Sequence, residues 1–268
     1  ADWLKLIDYY FSEGQVLDAI EQAVEQASKT IGAPATKRQI MISIPNPIVY
    51  KQPIAKKGGT TYWGVLEDRV LDFSDENDRA LACRWYIDLV LRRFKEAKFK
   101  HVELAGFYWV TEETLTKSPL IADIVDYCAQ KHYGLYWIPY FQAPGYEGWR
   151  EKGFVRAYYQ PNYFFHSDIP YSRLETACAQ AAANGMEMEL EFDESALKKH
   201  HKGGRLRDYM RAFKEAGVWE RCYLAYYQGG KGLSALKHSA DPEDQELYQD
   251  FCDFVSQRPL RQQAARKR

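Results

Sequence analysis

The stretch MEMELEFD, Met186 to Asp193, alternates apolar and acidic residues without a break. Successive side chains of a β-strand point to opposite faces, so the four carboxylates share one face and the four apolar side chains share the other. If the acidic face is solvated, its charges protect a sheet edge from aggregation. If it lines a polar interior, the carboxylates repel one another and lose water, which favours acid or base chemistry. The acidic residues are Glu187, Glu189, Glu191 and Asp193.

The segments around this stretch alternate between strand patterns and helix patterns, which is typical of right-handed βα units and a parallel sheet. Polar residues such as Glu103 and Gln160 interrupt the strands at alternate positions. An open sheet that is buried on both faces has continuously apolar strands instead. No glycine-rich phosphate fingerprint follows any strand. The sequence therefore predicts an α/β fold, a (β/α) barrel of the TIM type, whose strands face helices on one side and a polar interior on the other.

Strands are predicted over residues 39–44, 102–109, 135–141, 155–160, 186–193 and 222–227. Helices are predicted over residues 2–11, 15–30, 74–97, 120–132, 148–152, 172–184, 206–216 and 241–256. Residues 51–72 show no clear period and are predicted to form a long loop. We predict one domain over residues 1–258 and a flexible basic tail over residues 259–268. Because these strands do not close a standard barrel, a further strand is expected upstream of Ala1 and the barrel is expected to be incomplete at its N-terminus.

Composition restricts the class of protein. With 36 basic and 37 acidic residues, the net charge of -1 gives no general attraction for nucleic acid or for anionic membranes. No apolar run approaches the roughly 20 residues of a membrane span. The five cysteines are odd in number and dispersed, and they show no metal-ligand spacing, so we expect free thiols, no metal and no cofactor. The oligomeric state is left open.

Aromatic residues are abundant, at 15% of the chain, with 20 Tyr and 7 Trp. Flat rings with polar groups suit the faces of sugars. The alternative is that these rings fill a large barrel core and its helix layer. Both interpretations stay open at this point.

Six segments then carry a resemblance: MISIPNP (41–47), RWYIDLVLRRFKEAKFKHVELAGFYWVTE (84–112), YWIPYFQAPGYEGW (136–149), QPNYFF (160–165), EMELEFDESAL (187–197) and AYYQG (225–229). Together they resemble the bacterial family catalogued as domain of unknown function 4855, over about Ala1 to Gly230. The resemblance implies a TIM-barrel-like domain allied to glycoside hydrolases. It also implies export to the cell envelope or the extracellular space, although no signal peptide is visible, and a further strand before the segment that contains Trp3.

In a parallel barrel the active site lies at the carboxyl ends of the strands. Glycoside cleavage usually requires one carboxylic acid and one carboxylate, separated by roughly 5–5.5 Å for retention or 6.5–9.5 Å for inversion. Glu112 follows the strand 102–109, whereas Glu191 and Asp193 lie late in the acidic strand. We predict Glu112 as the general acid and Glu191 as the nucleophile or base, with Asp193 as its substitute. The alternative is that Glu112 is a solvated loop residue and that Glu189 and Glu191 are buried structural acids bonded to tyrosines or arginines.

The substrate-binding residues are predicted at strand exits, where amides bind sugar hydroxyls and rings stack on sugar faces. They are Tyr108, Trp109, Tyr140, Trp149, Gln160, Asn162, Tyr163 and Tyr227. The predicted function is a glycoside hydrolase that acts on a polysaccharide or an oligosaccharide. The alternatives are a non-catalytic glycan-binding barrel of the cell envelope and a polysaccharide lyase.

Overall fold

The structure, a computed structural model, describes residues 2–34, 36–49, 60–114 and 119–259. The chain divides into two compact units. Unit 1 comprises Ala1–Trp137 and Gly148–Val155, and unit 2 comprises Ile138–Glu147 and Arg156–Arg268. The single domain predicted over residues 1–258 stays a prediction, and most of the predicted basic tail lies outside the described residues.

Unit 1 contains a parallel sheet in which β4 pairs with β1 on one side and with β5 on the other. A separate antiparallel hairpin is formed by β2 and β3. The elements are α1 (Asp2–Phe11), α2 (Val16–Ile31), β1 (Arg38–Ile44), β2 (Tyr62–Leu66), β3 (Arg69–Asp72), α3 (Glu76–Ala97), β4 (Val102–Trp109), α4 (Pro119–Gln130) and β5 (Gly134–Trp137).

The hairpin of unit 1 lies in a stretch that we predicted to be a loop. Its two-residue turn, Glu67-Asp68, adopts positive φ at both residues. Turns of this kind are normally recognised by Asn-Gly or Asp-Gly, and Glu-Asp does not carry that signal. The part of the predicted loop over residues 51–59 lies outside the described residues.

The helix α3 begins at Glu76, two residues after the predicted start at residue 74. Its N-cap is Asp75, whose side chain accepts the backbone N–H of Asn77 at 2.9 Å. Ser74 precedes the helix and donates its N–H to the side chain of Asp72 at 2.8 Å. The helix predicted over residues 148–152 is a series of turns.

Unit 2 contains a parallel sheet in which β7 lies between β6 and β8. Three 3-10 turns, at Glu194–Ala196, Lys198–His200 and Gly229–Lys231, follow β7 and β8. The elements are β6 (Arg156–Tyr159), α5 (Ser172–Ala183), β7 (Glu187–Phe192), α6 (Gly203–Glu215), α7 (Val218–Arg221), β8 (Leu224–Gln228), α8 (Gly232–His238) and α9 (Pro242–Ser256).

Both faces of β7 are buried. Met188, Leu190 and Phe192 are fully buried, and Glu189 and Glu191 are only 6% and 0% exposed. Since β7 has a strand partner on each side, the acidic residues do not decorate a solvated sheet edge, and that interpretation is wrong. The α/β class with parallel strands and packed helices is confirmed in each unit.

Two further features follow from the described residues. No helix among them is both long enough and apolar enough to cross a membrane.

The five cysteines are free thiols, as predicted, and three of them are buried.

Candidate functional site

The side chain of Glu191, near the carboxyl end of β7, is the centre of a buried hydrogen-bond network. Its Oε1 accepts the side-chain amide of Gln160 at 2.8 Å. Its Oε2 accepts the backbone N–H of Asn162 at 2.8 Å and the hydroxyl of Tyr209 at 2.7 Å. All three donors are neutral, and together they satisfy both oxygens of a buried carboxylate.

Two of these donors come from the segment that follows β6. Pro161 ends the strand, and Asn162 then adopts the left-handed conformation with φ of 52°, which asparagine tolerates better than most residues. This turn directs the Asn162 N–H at Glu191. The amide of Gln160 also donates to Asn162 Oδ1 at 3.0 Å, so the two predicted amide residues are coupled to each other.

Tyr209 of α6 is the member of the network that the sequence did not indicate. It is fully buried. Burial, together with the negative charge of Glu191, raises the pKa of Tyr209 well above its ordinary value. The hydroxyl therefore stays protonated and donates a hydrogen bond to Glu191. No local pattern distinguishes Tyr209 from a tyrosine that merely packs in a helix core.

Asp193 lies one residue past β7 and is partly exposed. Its Oδ1 accepts the N–H of Ser195 at 2.8 Å and the Ser195 hydroxyl. Oδ2 has no hydrogen-bond partner among the described residues. Gly232, at the start of α8, packs against the Asp193 backbone, because a Cβ there would lie 2.8 Å from the Asp193 carbonyl carbon. The Oδ1 atom of Asp193 is therefore held by Ser195, whereas Oδ2 is available to a substrate.

At the other end of the acidic strand, Glu187 forms an ion pair with Arg156 at 2.8 Å. It also accepts the backbone N–H of Tyr223 at 2.7 Å. These contacts join β7 to β6 and to the residue before β8, so Glu187 stabilises the sheet of unit 2.

In unit 1, the segment after β4 carries Glu112. The residue is exposed as a whole, yet the protein around its carboxyl group removes part of the hydration and raises its pKa. Thr111 next to it is anchored by its carbonyl, which accepts the indole N–H of Trp137 at 2.8 Å. The backbone next to Glu112 is thus anchored, and the carboxyl group of Glu112 is partly dehydrated.

Three buried polar atoms in this segment have no hydrogen-bond partner in the part of the chain that the structure describes. They are Trp109 Nε1, Thr111 Oγ1 and Thr114 Oγ1. A buried polar group without a partner costs about 1–3 kcal/mol, so such groups call for a water molecule or a polar ligand. The segment Trp109–Thr114 therefore combines a carboxyl group with a raised pKa and several unsatisfied polar groups.

The raised pKa of Glu112 predicts a pH-dependent effect on stability. The unfolded chain ionises at the ordinary pKa of a glutamate, but the folded chain ionises only at a higher pH. Wild-type stability should therefore fall as the pH rises between these two pKa values. Glu112→Gln should remove this loss, so that it raises the urea midpoint at pH 7 relative to wild type and has no such benefit at pH 4. An equal effect of Glu112→Gln on the urea midpoint at pH 4 and at pH 7 would contradict the raised pKa of Glu112.

The rings predicted to bind substrate fall into two groups. Trp109, Trp149 and Tyr163 are at most 5% exposed, and Arg150 lies over the Trp149 ring while Arg205 lies over the Tyr163 ring. These three rings offer no face for stacking in this conformation. The partly or largely exposed rings are Tyr108, Tyr140 and Tyr227.

The structure thus brings three predicted residues of unit 2 into direct contact, namely Gln160, Asn162 and Glu191. Tyr140 lies beside them, since it forms an isolated parallel bridge with Gln160. Tyr227 is paired in register with Glu191 across β7 and β8. Among the residues that the structure describes, no group of three or more His, Cys, Asp or Glu side chains is arranged to hold a metal ion.

Fold and site geometry together define an α/β protein with parallel strands in each unit. In unit 2, polar groups lie at the carboxyl ends of β6 and β7, and in unit 1 the carboxyl group of Glu112 follows β4. The family model described as Domain of unknown function (DUF4855) matches residues 1–253, and the chain belongs to this family. No curated protein matches the chain in sequence.

Two solved structures show weak similarity. One is described as a "putative alpha-L-fucosidase" from Bacteroides thetaiotaomicron, with 16% identity, a TM-score of 0.44, and coverage of 67% of this chain and 62% of that chain. The other is pyruvate carboxylase from Rhizobium etli, with 9% identity, a TM-score of 0.39, and coverage of 89% of this chain and 20% of that chain. The chain therefore spans less than two thirds of the length of either protein.

Proposed function

We propose that the protein is an exported glycoside hydrolase of the TIM-barrel type, which cleaves a polysaccharide or an oligosaccharide by paired-carboxylate catalysis. Glu112 is the general acid. The observation that carries the proposal is the segment around Glu112, which combines a partly dehydrated carboxyl group with buried polar atoms of Trp109, Thr111 and Thr114 that have no partner within the described residues. A general acid must hold its proton near neutral pH, and partial dehydration of the carboxyl favours this.

The second carboxylate of the proposal is Asp193, supported by Glu191. A nucleophile or base must reach the substrate with one oxygen, and Asp193 is partly exposed with Oδ2 available. Glu191 is fully buried and both of its oxygens are bonded. We therefore reverse the order of preference drawn from the sequence: Asp193 acts on the substrate, and Glu191 positions Gln160 and Asn162.

The proposed reaction requires few groups. The Glu112 carboxyl donates its proton to the glycosidic oxygen as the bond to the anomeric carbon breaks. Asp193 either attacks that carbon or removes a proton from the attacking water. The amide groups of Gln160 and Asn162 and the exposed ring of Tyr227 suit the binding of sugar hydroxyls and of a sugar face.

The test is hydrolysis of a panel of bacterial and plant polysaccharides, followed by the release of reducing ends. Wild-type protein should release new reducing ends from at least one polysaccharide, and Glu112→Gln and Asp193→Asn should each abolish most of that activity. Glu113→Gln is the matched control, because this glutamate is the exposed neighbour of Glu112 in the same turn, and it should keep wild-type activity. Full activity in both the Glu112 and the Asp193 variant would refute the assignment.

A second candidate function, a non-catalytic glycan-binding protein, is favoured by one observation. Glu191 and the rings of Trp109, Trp149 and Tyr163 are packed in the interior, as expected if they stabilise a fold and do not contact a substrate. This function predicts measurable binding of a polysaccharide whose chain length stays unchanged after prolonged incubation. Shortening of the chain by wild-type protein, and not by Glu112→Gln, would exclude it.

A further inference from the structure

A strongly basic segment follows the acidic strand in unit 2. Residues 198–207, KKHHKGGRLR, contain five Lys or Arg residues, two His and no carboxylate. The whole chain, in contrast, has a net charge of -1. Positive charge is therefore concentrated just after Asp193 and the 3-10 turn Glu194–Ala196.

The two ends of this segment are neutralised by acidic residues of α9 and its N-cap. Lys198 forms ion pairs with Glu243 at 2.8 Å and with Asp241 at 3.4 Å. Arg207 forms one with Asp250 at 3.0 Å. These two cations hold the segment against α9 and contribute little net positive charge.

The cations between them are bound differently, because their partners are backbone carbonyls of the loop after β6. Lys202 donates to the carbonyl of Phe165 at 2.9 Å. Arg205 donates through Nε to the carbonyl of Tyr163 at 3.1 Å and through Nη2 to the carbonyl of Ile169 at 3.0 Å.

A third cation contacts the same loop from α5. Arg173 donates to the carbonyl of Pro161 at 3.4 Å. A carbonyl partner satisfies a hydrogen bond but does not cancel a positive charge. Arg173, Lys202 and Arg205 form no ion pair with a carboxylate within the described ranges of the chain, and Lys199, three residues before Lys202, is exposed. We call these four residues the cationic surface.

The cationic surface adjoins the candidate site, because the loop that it holds begins at Gln160 and Asn162. Glu191 takes its hydrogen bonds from neutral donors, and Asp208 is paired with Arg211 at 2.8 Å. Within the described residues, Asp208 forms no ion pair with a residue of the cationic surface. The positive charge beside the amide groups thus stays open to an anion from outside.

We infer that the cationic surface binds an anionic glycan, whose sugar units carry carboxylate or sulfate groups. The inference rests on the proposed function for the carbohydrate part of the ligand and on the uncompensated charge for the anionic part. Four cations on a chain without net positive charge are too few for general attraction to nucleic acid. The neighbouring amides of Gln160 and Asn162 and the exposed ring of Tyr227, which lies against Phe165, suit sugar hydroxyls and sugar faces.

The test compares two polymers with the same backbone, dextran and dextran sulfate, by isothermal titration calorimetry at about 0.15 M salt. Dextran sulfate should bind at least about tenfold more tightly than dextran, and its affinity should fall as salt is raised, because counterions screen and compete for the charges. Single-stranded DNA of equal charge should bind more weakly than dextran sulfate. Equal binding of dextran and dextran sulfate, or tighter binding of DNA, would overturn the inference.

Substitutions that change a single charge test whether dextran sulfate binds at the cationic surface. Lys199→Glu should weaken dextran sulfate binding about three- to tenfold, as expected for reversal of one exposed charge near an anion. Lys199 is exposed and forms no side-chain hydrogen bond with the residues that the structure describes, so this variant should fold normally. Lys95→Gln and Lys95→Glu, at an exposed position of α3, are the matched controls and should bind as wild type does. Equal losses at Lys199 and Lys95 would show a nonspecific charge effect.

The outcomes also separate this inference from the proposed function. Binding of dextran sulfate requires no hydrolysis, so the cationic surface is tested even if the protein cleaves nothing. Cleavage of a neutral polysaccharide, with no preference for an anionic one and no effect of Lys199→Glu, would leave the hydrolase proposal standing and refute the anionic ligand.

Discussion

Glu191→Ala is expected to lower the free energy of unfolding by about 3–5 kcal/mol, because it opens a cavity in the core and leaves three buried donors without an acceptor. Those donors are the Gln160 amide, the Asn162 N–H and the Tyr209 hydroxyl. Urea unfolding followed by circular dichroism measures the loss as a lower midpoint.

A second variant measures the contribution of a single hydrogen bond to this stability, and a third serves as the control. Tyr209→Phe removes one donor and keeps the ring, so it should cost about 1–3 kcal/mol, since a hydrogen bond to a charged group is lost. Glu175→Ala, at an exposed position of α5, is the control and should change stability by less than about 0.5 kcal/mol. If Glu191→Ala were no more destabilising than Glu175→Ala, the buried network would not exist in solution.

Glu112→Gln is expected to lower kcat for a polysaccharide by about 10²–10⁴-fold, which is the usual contribution of a general acid. The loss should depend on the leaving group. An aryl glycoside with a dinitrophenolate leaving group needs no proton, so the same variant should cleave it at a rate near that of wild type. The alkaline limb of the pH–rate profile, which reports the raised pKa of Glu112, should disappear in the variant.

Asp193→Asn provides the contrast for this prediction. A nucleophile or base is required whatever the leaving group, so Asp193→Asn should lose activity on both the polysaccharide and the aryl glycoside. If Glu112→Gln lost activity equally on both substrates while it kept the wild-type fold, Glu112 would not be the general acid. Both variants need a stability measurement, since Asp193 also caps the turn Glu194–Ala196.

Periodicity predicted the long elements well. The helices α1, α2 and α9 and the strands β1 and β4 agree with the prediction within one or two residues, because each carries a regular apolar pattern in its sequence. The N-cap and N1 proline of α9, Asp241 and Pro242, are confirmed by the hydrogen bond from the Glu243 N–H at 2.9 Å. The short elements β2, β3, α7 and α8 were missed, because a few residues do not show a period.

The candidate site was predictable only in part. Gln160, Asn162 and Glu191 share strand ends, and their contact follows from the side-by-side pairing of β6 and β7. Tyr209 lies in a helix 18 residues after Glu191, and no spacing rule connects the two. The burial of Trp109, Trp149 and Tyr163 was also not predictable, because an aromatic residue at a strand end suits both a core and a binding surface.

The sequence by itself determined that Met186 to Asp193 is a strand with its carboxylates at alternate positions, since the period of two is a local property of the backbone. Tertiary structure decided what each carboxylate does. Glu187 is paired with Arg156, Glu191 is enclosed by neutral donors, and Asp193 keeps one oxygen available. These differences depend on neighbours that are distant in the sequence, and the hydration of a carboxylate is set by those neighbours.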